Sequence, residues 1–424
     1  MNLPYVTRAL PGVGGLLKSR PEDFFVQEIP LYEPCGDGEH VFFEIQKTGL
    51  TTFGAVERLA QALGVSSREI GYAGLKDCRA VTRQVLSVRG VPPERVRSLR
   101  LEGIEVLWVD RHTNKLRLGH LAGNRFVIRL RQVNPVDVLR ARQIVQELHR
   151  RGMPNYFGDQ RFGRRRDNHL LGACLIRGRP EELLRRLLGT PDAGLDDPQE
   201  FLARKLFDEN DLEQSLRSWP RRAGLERRTL ARLIRTGRAG SAVRSIDPKL
   251  RRLWISALQS AMFNQAVARR IDRLDRLMPG DLAFKHDNGA CFAVTDPPAE
   301  QPRADRFEIS PTGPVFGYRM TLPEGEVLTI EQEILKSHGL TIGHFRQDGR
   351  DRAKGTRRPL RVQPRDLQVA GGVDEHGPHI TLAFTLPPGS YATVLLREVM
   401  KNDDSALLTT EESVASEPSV FQEM

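Results

Sequence analysis

The chain has 424 residues, which exceeds the usual size of one domain and predicts two domains with a sizeable core. Lys and Arg number 64 against 54 Asp and Glu, and the segment after Lys401 carries six acidic residues and no basic one, so the remainder has a net charge of +16. Such a charge suits a polyanionic partner and equally suits solubility alone. No apolar run approaches the roughly 18 residues that span a membrane, and the N-terminus lacks an export signal, so a cytoplasmic protein is expected.

The cysteine pattern does not predict a metal site. Four cysteines lie tens of residues apart, without Cys-x-x-Cys spacing: Cys35, Cys78, Cys174 and Cys291. The glycine-rich segment at residues 12–15 lacks the spacing of a dinucleotide- or phosphate-binding loop. We therefore expect a reduced protein that needs no metal or cofactor, with a flexible lead-in over residues 3–17.

Apolar periodicity predicts both helices and strands. Strands are expected at residues 41–46, 85–88, 104–109, 126–131 and 379–386. Helices are expected at residues 52–63, 138–148, 212–238 and 254–270. Ser66 and Glu69 have the spacing of a capping box, which predicts a short helix before the first glycine-containing motif. The 212–238 segment is rich in arginine, and we expect Arg227, Arg228 and Arg232 to contact phosphates.

The first motif, at residues 71–84, reads Gly-Tyr-Ala-Gly-Leu-Lys-Asp-Cys-Arg-Ala-Val-Thr-Arg-Gln. Gly71 and Gly74 allow backbone conformations and close approaches that other residues do not, so a substrate could reach the main chain here. Asp77 would then be exposed and yet held in place. By itself, Gly-Leu-Lys-Asp is more typical of an ordinary turn.

The second motif, at residues 154–163, reads Pro-Asn-Tyr-Phe-Gly-Asp-Gln-Arg-Phe-Gly, and three arginines follow it. Aromatic rings beside a basic run suit an extruded base and its phosphates. A buried turn is the alternative interpretation of the same residues.

Two further segments place side chains that could border a site. Residues 17–28 carry Lys18 and Phe24 just before a predicted strand, and residues 384–398 carry Tyr391 after one. A solvated lysine and core aromatic residues are the ordinary alternatives for these positions.

Together these four segments resemble the signature motifs of the TruD-type tRNA pseudouridine synthases, and the likeness runs from Lys18 to Lys401. In that family the aspartate of the first motif is the catalytic nucleophile, and it corresponds to Asp77 here. The resemblance implies substrate-binding roles for six further residues: Lys18, Phe24, Lys76, Asn155, Phe157 and Tyr391. Asn155 would orient groups near the aspartate, and Phe157 would stack on the target base.

The resemblance also implies an α+β fold, with a pseudouridine-synthase-like mixed β-sheet in the catalytic domain and an inserted α/β TRUD domain. The catalytic domain is expected to comprise residues 1–178 and 357–401, and the insertion residues 179–356. Residues 402–424 are rich in Ser, Thr and Glu, which predicts a disordered acidic tail.

The implied activity is isomerisation of uridine to pseudouridine, most often at position 13 of tRNA, by base flipping and without a cofactor. The implied partner is tRNA, with no membrane and no obligate protein partner, and we expect a monomer. Modification of another structured RNA and non-catalytic RNA binding on the same scaffold are the alternatives. Deaminase and methyltransferase activities are disfavoured, because the zinc-deaminase pattern and a glycine-rich cofactor loop are both missing.

Overall fold

A computed structural model describes residues 3–346 and 351–402. The chain forms two compact units. The first unit contains Tyr5–Met153 and the described residues from Val362 onward, and the second contains Pro154–Arg361 together with residues 3–4. The predicted insertion at 179–356 falls inside the second unit, and its boundaries stay a prediction. The predicted acidic tail lies, apart from Asn402, outside the described residues.

Fourteen strands occur in the described parts of the chain: β1 (Phe24–Pro30), β2 (His40–Thr48), β3 (Gly71–Tyr72), β4 (Val81–Arg89), β5 (Ile104–His112), β6 (Leu121–Arg131), β7 (Met153–Pro154), β8 (Leu282–Lys285), β9 (Cys291–Ala293), β10 (Ile309–Val315), β11 (Thr356–Pro359), β12 (Arg361–Val362), β13 (Arg365–Asp374) and β14 (Gly377–Leu386).

Thirteen α-helices accompany them in the same ranges: α1 (Thr52–Leu63), α2 (Pro93–Arg97), α3 (Val138–Arg151), α4 (Asn168–Ile176), α5 (Pro180–Leu188), α6 (Pro198–Asp208), α7 (Leu212–Ser218), α8 (Gly224–Thr236), α9 (Ala239–Arg244), α10 (Pro248–Arg269), α11 (Pro297–Asp305), α12 (Gly325–Ser337) and α13 (Ala392–Met400). Short 3₁₀ helices lie at Pro21–Asp23, Ser67–Glu69, Pro135–Asp137, Asp159–Phe162, Ile271–Arg273 and Ile342–Arg346.

The first unit is built on a mixed sheet in the order β13-β14-β6-β1-β4-β2-β5, with β3 paired to β4. β1 and β4 run parallel, whereas the other pairs of this sheet are antiparallel. α1 packs on one face through an apolar stripe that includes Leu59 and Leu63, against Phe43, Ile45 and Leu86 of the sheet. The parallel β1–β4 pair brings the segment before β1 close to the segment before β4, which is the first motif.

The second unit combines a helical core with a small sheet. The long helix α10 packs against α4, and Trp254, Leu258 and Met262 of α10 lie in an apolar cluster of this unit. Strands β11, β10, β8 and β9 pair in that order to form a four-stranded sheet. No helix in the described ranges combines the length and the apolar composition that a bilayer crossing requires.

The local predictions are largely confirmed. Each predicted strand lies within β2, β4, β5, β6 or β14, and α1 has the predicted bounds. Thr51 accepts a hydrogen bond from the Gly54 amide at the start of α1, and Gly64 ends the helix with a φ of 68°. Ser66 and Glu69 form the predicted capping box. Capping chemistry is local, so sequence spacing is enough to reveal it.

The expectation of a flexible lead-in at residues 3–17 is wrong. The carboxylate of Glu398 in α13 accepts hydrogen bonds from the amides of Val6 and Thr7, at 2.9 and 3.1 Å. Val13 is buried and donates its amide to the Val399 carbonyl at 3.0 Å. These partners lie almost 400 residues away in the sequence, so no local pattern indicates them.

The arginine-rich 212–238 segment forms two helices, α7 and α8, rather than one. Arg227 donates to the main-chain carbonyls of Leu216 and Trp219, at 3.3 and 2.8 Å, and thereby caps the end of α7. Arg232 donates to the Ser241 hydroxyl at 3.1 Å. Arg227 and Arg232 therefore each have a structural hydrogen-bonding role, and the phosphate contacts predicted for Arg227, Arg228 and Arg232 stay a prediction.

Candidate active site

The loop that joins β3 to β4 carries the first motif and presents Asp77. Because it has no regular secondary structure, its polar groups need partners from other segments. Gly74 lies close to the side chains inside the loop, since a Cβ there would be 3.1 Å from Lys76 Nζ and 3.5 Å from Glu28 Oε2. The side chain of Asp77 is 40% exposed, so its carboxylate is accessible from outside the fold.

Lys18 lies directly beside this carboxylate. Its Nζ donates to Asp77 Oδ2 at 3.1 Å, and its side chain is only 9% exposed. The backbone of Lys18 has a φ of 54°, in the left-handed region that few residues other than glycine adopt. The ammonium also lies 4.7 Å from the centre of the buried Phe24 ring. The ammonium therefore contacts the Phe24 ring on one side and attracts the negative charge of the Asp77 carboxylate, 3.1 Å away, on the other.

A buried ion cluster fixes the turn that carries Lys18 and Phe24. Arg131 donates twice to Asp23 Oδ1, at 2.9 and 2.6 Å, and once to Asp374 Oδ1 at 2.6 Å. Hydrogen bonding to Arg131 holds the pKa of Asp374 well below its usual range. The main chain of Arg131 also pairs with Leu16. Arg131 thus orients both ends of the 16–24 segment. Sequence reasoning missed it, because Arg131 ends a strand that also contains Arg125 and Arg129, and no local signal distinguishes it from them.

Lys76 faces inward. Its Nζ lies 2.6 Å from Glu28 Oε2, and the two side chains are 5% and 1% exposed. Its amide donates to the Thr52 hydroxyl at 2.9 Å. A buried pair of this kind is costly to break, so the geometry favours an anchoring role for Lys76 within the loop. The predicted contact between Lys76 and substrate stays a prediction.

Tyr391 directly precedes α13 in the first unit and is partly exposed. The predicted contact between Tyr391 and the reacting base stays a prediction.

Asn155 and Phe157 belong to the second unit and form a cluster with Arg358. The guanidinium of Arg358 donates to Asn155 Oδ1 at 2.6 Å and lies 4.3 Å from the centre of the Phe157 ring. Phe263 meets the same ring edge-on at 5.5 Å. The Asn264 side chain accepts from the Phe157 amide at 2.8 Å and donates to the Phe157 carbonyl at 3.0 Å. Arg358, which sequence reasoning passed over, joins the two predicted residues of this motif.

The burial of Phe157 allows its predicted stacking role to be tested against a packing role. Phe157 is 8% exposed, so Phe157→Ala should lower the free energy of unfolding by about 3–5 kcal/mol. If the ring also stacks on a base, the folded protein should turn over roughly 5- to 150-fold more slowly, which corresponds to about 1–3 kcal/mol. Thermal unfolding and single-turnover rates on the same samples separate the two effects.

Phe263→Leu is the matched control for that experiment, because it removes the neighbouring ring while leaving Phe157 in place. Phe157→Leu keeps most of the apolar volume and removes the aromatic face. A Phe157→Leu protein that is folded and as fast as wild type would remove Phe157 from the active site.

In residues 3–346 and 351–402, no group of three or more His, Cys, Asp or Glu side chains is arranged to hold a metal ion. The four cysteines are free thiols.

The structure groups the predicted site residues by unit. The first unit brings Lys18, Phe24, Lys76 and Asp77 together, and Asn155 and Phe157 belong to one cluster in the second unit.

The helices and the mixed sheet define an α+β protein, and the accessible aspartate paired with a lysine on a loop of that sheet is a candidate carboxylate active site. A family model described as tRNA pseudouridine synthase D (TruD) matches residues 1–399. The chain belongs to the TruD family.

Individual proteins agree with that assignment. The chain is 46% identical over 400 residues to the tRNA pseudouridine synthase D of Geotalea daltonii, and the aligned part covers 94% of this chain and 100% of that protein. It is 48% identical over 398 residues to the tRNA pseudouridine synthase D of Geobacter metallireducens, covering 94% and 97% respectively. The crystal structure of the protein designated TruD from Methanosarcina mazei matches with a TM-score of 0.84 at 28% identity, over 96% of this chain and 100% of that one. The predicted family and the α+β fold class are confirmed.

Proposed function

We propose that this protein is a tRNA pseudouridine synthase that converts the uridine at position 13 of tRNA to pseudouridine, with Asp77 as the catalytic nucleophile. The observation that carries the proposal is the Asp77 carboxylate, which is 40% exposed, lies 3.1 Å from the Lys18 ammonium, and belongs to the family's first motif. The named relatives support tRNA as the substrate.

The reaction rearranges one nucleotide and needs no external group. The bond between C1′ and N1 breaks, the base turns, and a bond forms between C1′ and C5. The proton lost from C5 is balanced by one gained at N1, so nothing is oxidised or reduced. Three routes use an aspartate: attack on C1′, attack on C6, or abstraction of a proton from C2′ to give a glycal. Each route uses a negatively charged oxygen of the carboxylate, and the Lys18 ammonium lies 3.1 Å from one of its oxygens.

The remaining residues have supporting roles in this proposal. The target uridine must leave its stack, because its glycosidic bond is not accessible to an enzyme inside a folded helix. Six side chains would hold the extruded nucleotide or the loop beside it: Lys18, Phe24, Lys76, Asn155, Phe157 and Tyr391. Of these, Lys76 would act through the loop, given its buried pair with Glu28.

The excess of basic residues supports binding to the phosphates of a large RNA. We assign residues 179–356 to a TRUD insertion that adds to this contact area. We further assign the protein to the cytoplasm as a monomer, in keeping with a tRNA substrate.

The test is incubation of the purified protein with an unmodified tRNA transcript, followed by chemical mapping of pseudouridine. We expect stoichiometric modification at position 13, and none in a transcript whose uridine 13 is replaced by cytidine. Activity should persist after EDTA treatment when a polyamine maintains the tRNA fold. Modification of a different RNA and not of tRNA would contradict the substrate, and no modification of any uridine would contradict the activity.

A further inference from the structure

Lys47, at the end of β2, points its ammonium into the main chain of the candidate active-site loop. The residue is 1% exposed, and its Nζ donates to the carbonyl of Leu50 at 2.5 Å and to the carbonyl of Asp77 at 3.2 Å. A buried lysine is uncommon. Because this one binds the main-chain carbonyl of Asp77, it restrains the main chain from which the Asp77 side chain extends.

Two other bonds join the same pair of segments. The Cys78 thiol donates to the Gly49 carbonyl at 3.1 Å, and the Lys76 amide donates to the Thr52 hydroxyl at 2.9 Å. Thr52 in turn donates to the buried Gln84 side chain at 3.0 Å. The turn at residues 47–52, which joins β2 to α1, thus contacts three consecutive loop residues, with Asp77 in the middle.

We propose that Lys47 is a positioning residue for Asp77, whose ammonium holds the main chain at residue 77 so that the carboxylate reaches the nucleotide in a productive geometry. This inference rests on the proposed function. A misplacement of about 1 Å at a reacting group can cost on the order of 100-fold in rate, so a bond at the residue that carries the nucleophile has a large effect.

The charge of Lys47 gives this role a pH dependence. Burial lowers the pKa of Lys47 from 10.5 to about 8, while Cys78 and Asp77 act to raise the pKa and Lys76 acts to lower it. The strand neighbours of Lys47 are uncharged, namely Thr82 on β4 and Ile104 on β5. Below pH 8 the ammonium makes charge-assisted bonds to both carbonyls, and above pH 8 the neutral amine makes weaker ones.

The direction of the linked stability change separates positioning from unfolding. Between pH 8 and 10.5 the unfolded chain holds a proton on this lysine that the folded chain has lost, so the contribution of Lys47 to folding stability rises with pH. A turnover rate that falls through the same window therefore cannot come from unfolding caused by Lys47.

The test compares Lys47→Met with Lys401→Met in the full chain. Lys401 is a matched control, because burial lowers its pKa as well and because it too donates to two main-chain carbonyls, those of Thr7 and Leu10. We expect Lys47→Met to stay folded, bind tRNA as wild type does, and slow single-turnover pseudouridine formation by 10- to 100-fold. Amide hydrogen exchange should become faster in the peptide that spans residues 71–84. Lys401→Met should change neither quantity.

The exchange measurement keeps this inference separate from the proposed activity. If wild-type protein modified no RNA, the proposed function would fail, and faster exchange at residues 71–84 in Lys47→Met alone would still support the anchoring of the loop. A folded Lys47→Met protein with the wild-type rate and wild-type exchange would overturn the inference.

Lys47→Arg provides a second variant if Lys47→Met does not fold. The guanidinium stays protonated throughout the accessible pH range, so the fall in rate that we expect above pH 8 in wild type should be absent. Ionisation of uracil affects both proteins equally, which makes the difference between their profiles the readout. Identical profiles for wild type and Lys47→Arg would contradict a role for the Lys47 charge.

Discussion

Asp77→Asn is expected to abolish pseudouridine formation, with a loss of at least about 10³-fold in the single-turnover rate. The amide has nearly the shape of the carboxylate but carries no negative charge, so it neither attacks carbon nor accepts a proton effectively. The Asp77 side chain is 40% exposed, and partly exposed ion pairs such as the one with Lys18 contribute little to stability. Thermal unfolding and tRNA affinity should therefore stay close to wild type.

The control for this variant is Asp37→Asn, which makes the same chemical change at an exposed position of the same unit. Mass spectrometry of the Asp77→Asn sample checks that the asparagine has not deamidated back to aspartate. Turnover by verified Asp77→Asn protein within tenfold of wild type would remove Asp77 from the role of nucleophile.

Arg131→Met should lower the free energy of unfolding by about 3–5 kcal/mol. Arg131 supplies two hydrogen bonds to Asp23, and the Asp23 side chain is completely buried. Removing the guanidinium leaves that carboxylate without its counter-charge in an apolar setting. Because the Arg131 side chain holds Asp23, which lies in the same 16–24 segment as Lys18, the Lys18 turn should loosen and the turnover rate should fall as well. Chemical denaturation and single-turnover kinetics measure the two effects.

A double variant distinguishes the loss of the ion pair from a loss of packing. Asp23→Leu combined with Arg131→Met removes both charges, and replacing both partners of a buried pair by apolar groups is far less costly than removing one. The double variant should therefore regain much of the lost stability. Arg125→Met, on the same strand but exposed, should be nearly neutral. Equal destabilisation by the single and double variants would show that the buried charge is not the cause.

The pH dependence of this cluster is confined to acid. The pKa of Asp374 is lowered mainly by its hydrogen bond to Arg131, so its stabilising contribution is present above the usual carboxyl range and is lost as pH falls below it. The difference in stability between wild type and Arg131→Met should accordingly be constant around neutral pH and become smaller in strong acid.

The sequence by itself determined several helices and strands and pointed to Asp77 as the candidate nucleophile. Helix α1 and the strands at 41–46 and 379–386 follow from apolar periodicity, and the capping box at Ser66 follows from two residues three positions apart. Each of these signals is local, since period and capping chemistry are properties of a few neighbouring residues. Asp77 could be singled out as the candidate nucleophile because the motif that carries it is one uninterrupted stretch, residues 71–84.

Only the tertiary structure decided which side chains surround Asp77 and which way they point. Lys18 meets Asp77 across 59 positions, and Arg131 meets Asp374 across 243. Lys76 is adjacent to Asp77 in sequence and yet pairs inward with Glu28. The physical reason is that a buried charge must find a counter-charge wherever the fold supplies one. That partner is set by the pairing of β1 with β4 and of β6 with β14, which no local pattern of residues encodes.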